Sequence, residues 1–330
     1  DLFTFLGSIV FDVAPGDSEQ LVPQPDTALG ILRPTAETGL ADRLAVLPVG
    51  MPGYLEGHEP LLITKANKRS NVHRPAYMDI IAVRHFDTAG TVTGETCLLG
   101  LFSAGAYNRA VTEVPALRLK LRRLLERSGL PANGHGIKVL QNIVENYPRD
   151  DLFQVTEDEL FSSAMGILEL QERQHVRLFS RRDRFGRFYS CLVFVPRDHF
   201  NSDLRLRIGE ILLDACNGRS LQFNVYFSES VLTRIHYLIS VDPDSEPRQE
   251  LRLVEKRIAQ AARSWGDDLK AALVEHFGEE PGLAHFSAWG GGFSAAYQAD
   301  CSARQAAYDI PRIADAAKKQ HLGILLYRSS

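Results

Sequence analysis

Between Lys65 and Arg74, five basic side chains (Lys65, Lys68, Arg69, His73 and Arg74) fall within ten residues. Ammonium and guanidinium groups hold carboxylate or phosphate through charge-assisted hydrogen bonds. The loop is therefore the best candidate in the chain for binding an anion, with Lys65, Asn67, Arg69, Ser70, His73 and Arg74 as its candidate residues. The same charges equally suit contact with a neighbouring domain or solvent. Asn67, Ser70 and Asn71 are also the residue types that build a turn.

Other chemistry is mostly missing from the sequence. There is no Gly-x-Gly-x-x-Gly, P-loop, His-Glu-x-x-His or Gly-x-Ser-x-Gly motif, and no two histidines are spaced i, i+4. Cys97, Cys191, Cys216 and Cys301 are widely separated and form no Cys-x-x-Cys, which signals neither a thiolate metal site nor a redox pair. Asp150-Asp151 and Glu157-Asp158-Glu159 read as loop solvation and as favourable charge at helix N-termini. Trp289-Gly-Gly-Gly reads as a flexible bend rather than a substrate loop. A basic helix across Arg118 to Arg127 and the turn Arg181 to Arg187 raise an RNA-binding reading. Arg184-Phe-Gly-Arg-Phe-Tyr resembles an RNA-recognition aromatic motif with its order broken. Against it, 41 acidic residues outnumber 37 Lys and Arg.

The 330 residues allow two or three domains, and 45% hydrophobic with 24% charged residues is an ordinary globular balance. The formal net charge of -4 argues against a nucleic-acid or anionic-membrane partner. No apolar run reaches the roughly 20 residues needed to span a bilayer. Cysteine usage favours a reduced, cytoplasmic setting. The chain opens Asp1-Leu-Phe-Thr-Phe, as if within a strand, which suggests a fragment of a longer protein.

The elements that must position these residues follow from periodicity. Phe3, Phe5, Ile9 and Phe11 alternate with polar neighbours, and strands are expected at 29–33, 44–47, 61–65, 78–86 and 91–102. Ala14-Pro-Gly-Asp reads as a turn. Residues 1–110 are expected to be an antiparallel β domain. The period then lengthens. Pro115 opens a helix that Gly129 closes, and Thr156 and Glu159 have capping-box spacing, so 111–175 reads as a helical connector. Residues 176–278 alternate as a hairpin, a helix capped by Ser202, two strands, and one long helix from Leu251 to Gly278. That order is a ferredoxin-like split βαβ unit, βαββα, lacking its last strand. Residues 176–180 are expected to take the vacant edge, because a hairpin partner runs antiparallel to the first strand as the last strand would. Residues 279–330 form a helical tail whose final apolar run, 321–328, reads as the first strand of a following domain. The fold class is α+β.

Several blocks carry a resemblance. Thr64-Lys-Ala-Asn-Lys-Arg-Ser-Asn-Val-His-Arg-Pro-Ala-Tyr, Leu99-Gly-Leu-Phe-Ser-Ala-Gly-Ala-Tyr-Asn, Leu124-Leu-Glu-Arg-Ser-Gly, Asn146-Tyr-Pro-Arg-Asp-Asp-Leu-Phe and Phe194-Val-Pro-Arg-Asp-His-Phe are similar to the N-terminal region of large bacterial NAD-specific glutamate dehydrogenases. The pattern from Phe293 to Ile310 is similar too, but within it Ser294 and Cys301 stand where Pro and Phe are expected. The resemblance implies PAS-like and ACT-like domains joined by helices, with the dehydrogenase domains downstream in the same chain. It implies a parent that oxidises L-glutamate with NAD, and a non-catalytic region here that itself holds no cofactor. It also implies homo-oligomers and an amino-acid effector of the ACT-like unit. The expected role is regulation or assembly; a purely structural scaffold is the alternative, and RNA binding a third.

Overall fold

Period-two alternation becomes β-structure through most of the first hundred residues. The computed structural model describes residues 2–14, 17–48, 59–170, 173, 175–227 and 230–320. Strands β1 (Phe3–Ala14) and β2 (Asp17–Gly30) are followed by a short helix, α1 (Leu40–Leu44), and then by β3 (Leu61–Arg69), β4 (Tyr77–Phe86) and β5 (Val92–Phe102). They form one antiparallel sheet in the order β2-β1-β5-β4-β3. Ile9, Phe11, Met78, Ile80, Cys97 and Leu99 line its inner face, against which Leu32 and Leu47 pack.

Two of the expected strands are different. Leu29 and Gly30 end the long edge strand β2, and the chain turns at Ile31. Pro23 and Pro25 are tolerated within β2 because an edge strand need not donate from every N–H. Leu44 closes α1, and Leu47 drops from the turn after it into the core. The Ala14-Pro-Gly-Asp turn lies partly outside the described residues, and the 321–328 run lies wholly outside them.

Helices α2 (Ala104–Asn108), α3 (Pro115–Ser128), α4 (His135–Glu145), α5 (Arg149–Gln154) and α6 (Glu157–Leu170) come next. Pro115 sits in the first turn of α3, and Gly129 terminates it at φ 65°. The capping box on α6 forms as expected: Glu159 N–H donates to Thr156 Oγ1 at 3.2 Å, and Thr156 N–H donates to Glu159 Oε2 at 2.9 Å. The connector core, built from Leu117, Leu121, Leu140, Val144, Leu152 and Leu160, also takes in Phe102 from the first sheet and Leu192 and Phe194 from the second. Both sheets are thus packed onto one helical block. The rings of Phe102 and Phe153 stack at 4.1 Å across the first boundary.

The second sheet contains β6 (Arg177–Arg182), β7 (Phe188–Pro196), β8 (Ser220–Tyr226) and β9 (Leu232–Ser240), with helices α7 (Ser202–Ala215) after β7 and α8 (Leu251–Ala261) after β9. Its order is β6-β7-β9-β8, every pair antiparallel. As the sequence predicts, β6 occupies the edge that the last strand of a split βαβ unit would fill. Ile208, Leu212, Val254 and Ile258 pack onto Cys191, Val193, Ile235 and Tyr237 on one face. The cap of α7 is Asn201 rather than Ser202: its Oδ1 accepts from Leu204 N–H at 2.8 Å.

The single long helix expected from Leu251 to Gly278 is two helices. The first ends at Ala261, and α9 (Trp265–Phe277) starts with a capping box between Ser264 and Asp267. The Ser264 side chain bonds the backbone that a continuous helix would need, which breaks the helix despite its unbroken apolar stripe. Helices α10 (Glu279–Trp289), α11 (Ala295–Asp300) and α12 (Ala303–Lys319) complete the described chain. Leu269 and Leu273 of α9 pack with Ala306, Ala307 and Ile310 of α12 in a core of their own.

Candidate functional site: the junction of the two sheets

The basic loop does not project its charges together. Lys65 lies in the middle of β3 facing the connector, where Nζ contacts Asp79 Oδ1 at 2.6 Å and Asp150 Oδ1 at 2.7 Å. Burial alone would lower its pKa, but the two carboxylates, Asp150 foremost, raise it above the ordinary lysine value. Asn67 is held at both ends. Its N–H donates to Val46 O at 2.8 Å, and its Oδ1 accepts from Arg187 Nη1 at 3.0 Å. Ser70 is buried and makes a local turn, donating to Val72 O at 2.8 Å. Arg74 donates to Phe102 O at 2.9 Å and lies over the Tyr107 ring. Arg69 covers Tyr77, and His73 is exposed at φ 62°. The structure therefore disperses the six candidates: Lys65, Asn67 and Arg74 point into boundaries between parts of the chain, Ser70 inward, and Arg69 and His73 to the surface.

The groups that meet at the junction are Asp150 and Asp151, consecutive in α5. The expectation of solvated, helix-terminal charge is incorrect for Asp151, whose side chain is 3% exposed. Its carboxylate accepts hydrogen bonds from Arg181 of β6 and from the Ser190 hydroxyl of β7. His236 Nε2 of β9 is 3.2 Å away. Burial pushes this carboxyl up, but the Arg181 charge, followed by His236 and Ser190, holds it well below the usual carboxylate range. Asp150 turns the other way, to Lys65 and to the Tyr107 hydroxyl, which donates at 2.6 Å. Burial, reinforced by the Asp150 charge, pushes the Tyr107 hydroxyl up to about 12.

A six-residue helix needs outside help to hold two carboxylates in fixed directions. Lys120 supplies it. Its Nζ donates to the carbonyls of Leu152, Phe153 and Val155 at 3.0, 2.9 and 2.6 Å, satisfying the C-terminal end of α5. Burial, with Arg181 nearby, pushes Lys120 down to about 8. Arg187 adds a direct tie between the sheets. Held by Asp183 at 2.7 Å, it donates to Lys65 O at 2.6 Å and Thr64 Oγ1 at 2.9 Å.

Asp151, Ser190 and His236 are the residue types of a hydrolytic triad, but not its geometry. Ser190 Oγ and Asp151 Oδ2 both meet the same ring nitrogen, His236 Nε2, at 2.9 and 3.2 Å. A triad needs the acid on one nitrogen and the nucleophile on the other. The cluster is also buried, so it works as an ionic lock. No group of three metal-ligating side chains occurs among the described residues, and none of the described helices is long and apolar enough to cross a membrane.

The RNA-binding reading loses its surface. Bases would have to stack on the sheet face opposite α7 and α8, where Leu192 and Phe194 are packed into the connector. Phe185 of the aromatic motif is buried against Leu62 and Ala82 of the first sheet. On the basic helix α3, Arg123 and Arg127 pair with Glu157 and Asp158 of α6. Local sequence carried no signal for the junction. The partners of Asp151 lie 30, 39 and 85 residues away, and those of Asp150 lie 43 and 85 away.

Comparison with known proteins matches three family models to the chain. Residues 114–173 match the family model for glutamate dehydrogenase helical motif 1, residues 177–266 that for its ACT2 domain, and residues 272–316 that for helical motif 2. The NAD-specific glutamate dehydrogenase of Halomonas elongata is 38% identical over 99% of this chain, and that of Pseudomonas aeruginosa 36% over 99%. The one from Mycobacterium tuberculosis is 27% identical over 80% of it. The chain spans 20% of the length of the first two relatives and 17% of the third. With its ACT2 domain set between two helical motifs, the chain belongs to the NAD-specific glutamate dehydrogenase family and corresponds to a non-catalytic part of it.

Proposed function

We propose that this region regulates and helps assemble an enzyme that oxidises L-glutamate with NAD and water to 2-oxoglutarate, ammonium and NADH. Catalysis and NAD binding are assigned to other parts of the parent chain, since the sequence contains no Gly-x-Gly-x-x-Gly to place a dinucleotide on a helix N-terminus. The downstream catalytic domains are its partners in the same chain, and the setting is cytoplasmic. The first sheet, in the order β2-β1-β5-β4-β3, is the PAS-like unit, spanning 1–110. The connector spans 111–175. The ACT-like unit runs from 176 to the break before Ser264 rather than to 278, because α9 packs with α12.

One observation carries the regulatory reading: α5 binds both sheets through adjacent carboxylates, Asp150 to Lys65 and Asp151 to Arg181. A ligand that favours one arrangement of the ACT-like sheet then shifts the position of the first sheet too, and with it the conformational equilibrium of the parent. The effector class is an amino acid or a related organic acid. The Lys65 to Arg74 loop acts in this scheme as an interdomain contact rather than a ligand site.

The test is thermal melting of the full-length protein with the amino acids, 2-oxoglutarate, NAD and nucleotides, read with and without Asp151→Asn. An effector at 100 times its dissociation constant adds about 2.7 kcal/mol. A shift with an amino acid that Asp151→Asn weakens supports the reading. No shift beyond those of glutamate, 2-oxoglutarate and NAD, which the catalytic domains bind, overturns the sensing role and leaves assembly.

A further inference from the structure

We propose that Cys191 and Cys216 form a peroxide-responsive thiol pair, closing to an intrachain disulfide that draws the end of α7 onto β7 and restrains the 244–248 segment tied to it. This goes beyond the effector reading above, and it stands or falls without it.

The fold brings the two cysteines together. Cys191 lies in the middle of β7, paired with Ser180 on one side and Tyr237 on the other. It faces the core on which α7 and α8 pack. Cys216 caps the C-terminus of α7 in the same core. The two thiols share a hydrogen bond, although they are far apart in sequence. Cysteine spacing carries no trace of this contact, which depends on how α7 seats on the sheet.

The chemistry divides between the two sulfurs. The Cys191 thiol donates to Cys216 and holds the Cys216 thiol below the ordinary cysteine value, against its burial. The same bond, with burial, pushes Cys191 well up. Cys216 is therefore the sulfur that ionises and reacts first. Asn217 and Gly218, which follow it, line an open cleft of about 290 Å³ with Glu210, Leu213, Asp214 and Arg248. A molecule as small as hydrogen peroxide reaches the turn beside Cys216 through that cleft. The Cys216 thiolate attacks one peroxide oxygen: an S–O bond forms, the O–O bond breaks, and the departing hydroxide takes up a proton as water. The Cys191 sulfur then attacks the Cys216 sulfenic acid. The S–S bond forms, the S–O bond breaks, and the Cys191 proton leaves with the hydroxide as a second water. Two thiols are oxidised and one peroxide is reduced.

The consequence follows from which side yields. A disulfide holds its sulfurs about 2.05 Å apart, closer than two hydrogen-bonded thiols. Strand β7 is fixed between β6 and β9, so the helix end moves. Ala215 O accepts from Arg248 N–H at 2.8 Å, and Asn217 Nδ2 donates to Ser245 Oγ at 2.9 Å. Ser245 O in turn accepts from Arg182 of β6, the neighbour of the Arg181 that binds Asp151. Oxidation thus acts on the segment between β9 and α8, one residue from the junction.

The test uses the full-length protein, treated with hydrogen peroxide, quenched in acid, alkylated in denaturant, digested without reductant and read by mass spectrometry. The expected product is a linked peptide pair holding Cys191 and Cys216, lighter by two hydrogens than the thiols and split by dithiothreitol. Cys191→Ala is expected to leave a sulfenic acid on Cys216 that dimedone traps, whereas Cys216→Ala is expected to leave Cys191 a thiol. Hydrogen exchange in 215–219 and 244–248 is expected to slow several-fold on oxidation of the unsubstituted protein and to stay the same in Cys191→Ala. Full alkylation of both thiols after the partly exposed Cys301 has been oxidised overturns the proposal. A disulfide that leaves exchange in both segments unchanged overturns it too, as does a link from either cysteine to any other.

Discussion

Asp150 and Asp151 are adjacent in α5, and their carboxylates bind opposite sheets: Asp150 lies 2.7 Å from Lys65 Nζ of β3, while Asp151 accepts from Arg181 of β6. Neighbouring helical residues point about 100° apart, so a single turn can address two partners on either side of it. The Lys120 ammonium satisfies the carbonyls at the end of that turn and fixes its direction. This arrangement ties both sheets to one turn of the helical connector.

Asp151→Asn keeps the shape and removes the charge. It leaves Arg181, 8% exposed, facing a neutral amide. Breaking a buried pair from one side costs about 3–5 kcal/mol, which is expected as a drop in the denaturant midpoint with an unchanged slope. Replacing both partners, Asp151→Leu with Arg181→Met, is expected to cost less than the sum of the two single changes. Additive costs in that cycle show that the pair is not coupled.

The pH dependence follows from the directions of the shifts. The folded-state pKa of Asp151 is depressed, so its contribution is complete above the unfolded value of about 3.9 and is lost as pH falls through the folded value. The folded-state pKa of Lys65 is raised, so its contribution is complete below the unfolded value of about 10.4 and is lost as pH rises through the folded value. Urea midpoints across pH are expected to show the gap between native protein and Asp151→Asn narrowing only in acid. The gap to Lys65→Met is expected to narrow only in strong base.

Lys65→Met strands Asp79, which is buried beneath it, and frees Asp150. The expected cost is about 3 kcal/mol, at the low end for a broken buried pair because Asp150 is partly solvated. Hydrogen exchange is expected to accelerate in α5 and β3 while β8 and β9 are unchanged. Uniform acceleration would show that Lys65 supports global stability rather than this junction.

Much of the fold was legible because its determinants are local. Alternation marked β1, β8 and β9, Pro115 and Gly129 bounded α3, and Thr156 with Glu159 announced α6. The edge position of β6 followed from hairpin geometry alone. The break at Ser264 was written in its spacing to Asp267, but the apolar stripe from Val254 to Leu273 runs across it with helical period and hides it. The junction was not legible. Asp150-Asp151 has the local signature of helix N-terminal charge, and only the packing of both sheets onto the connector separates a buried Asp151 from a solvated one.

Gly166 tests whether the connector and the ACT-like sheet must touch. It lies on α6 where the Phe179 ring of β6 closes in, and a Cβ there would fall 2.5 Å from Phe179 Cε1. The backbone of Gly166 is ordinary helix, so alanine brings no strain of its own and even gains roughly 1 kcal/mol of helix propensity. Any loss must therefore come from the clash. Phe179 is held edge-on against Phe194 at 5.9 Å, which limits its retreat. Overpacking of this kind costs about 1–3 kcal/mol, so Gly166→Ala is expected to lower the melting temperature, and Phe179→Leu is expected to restore part of the loss in the double variant. A stabilised Gly166→Ala protein would mean that α6 and β6 separate freely, and the coupling through α5 would then have to carry the two sheets without this contact.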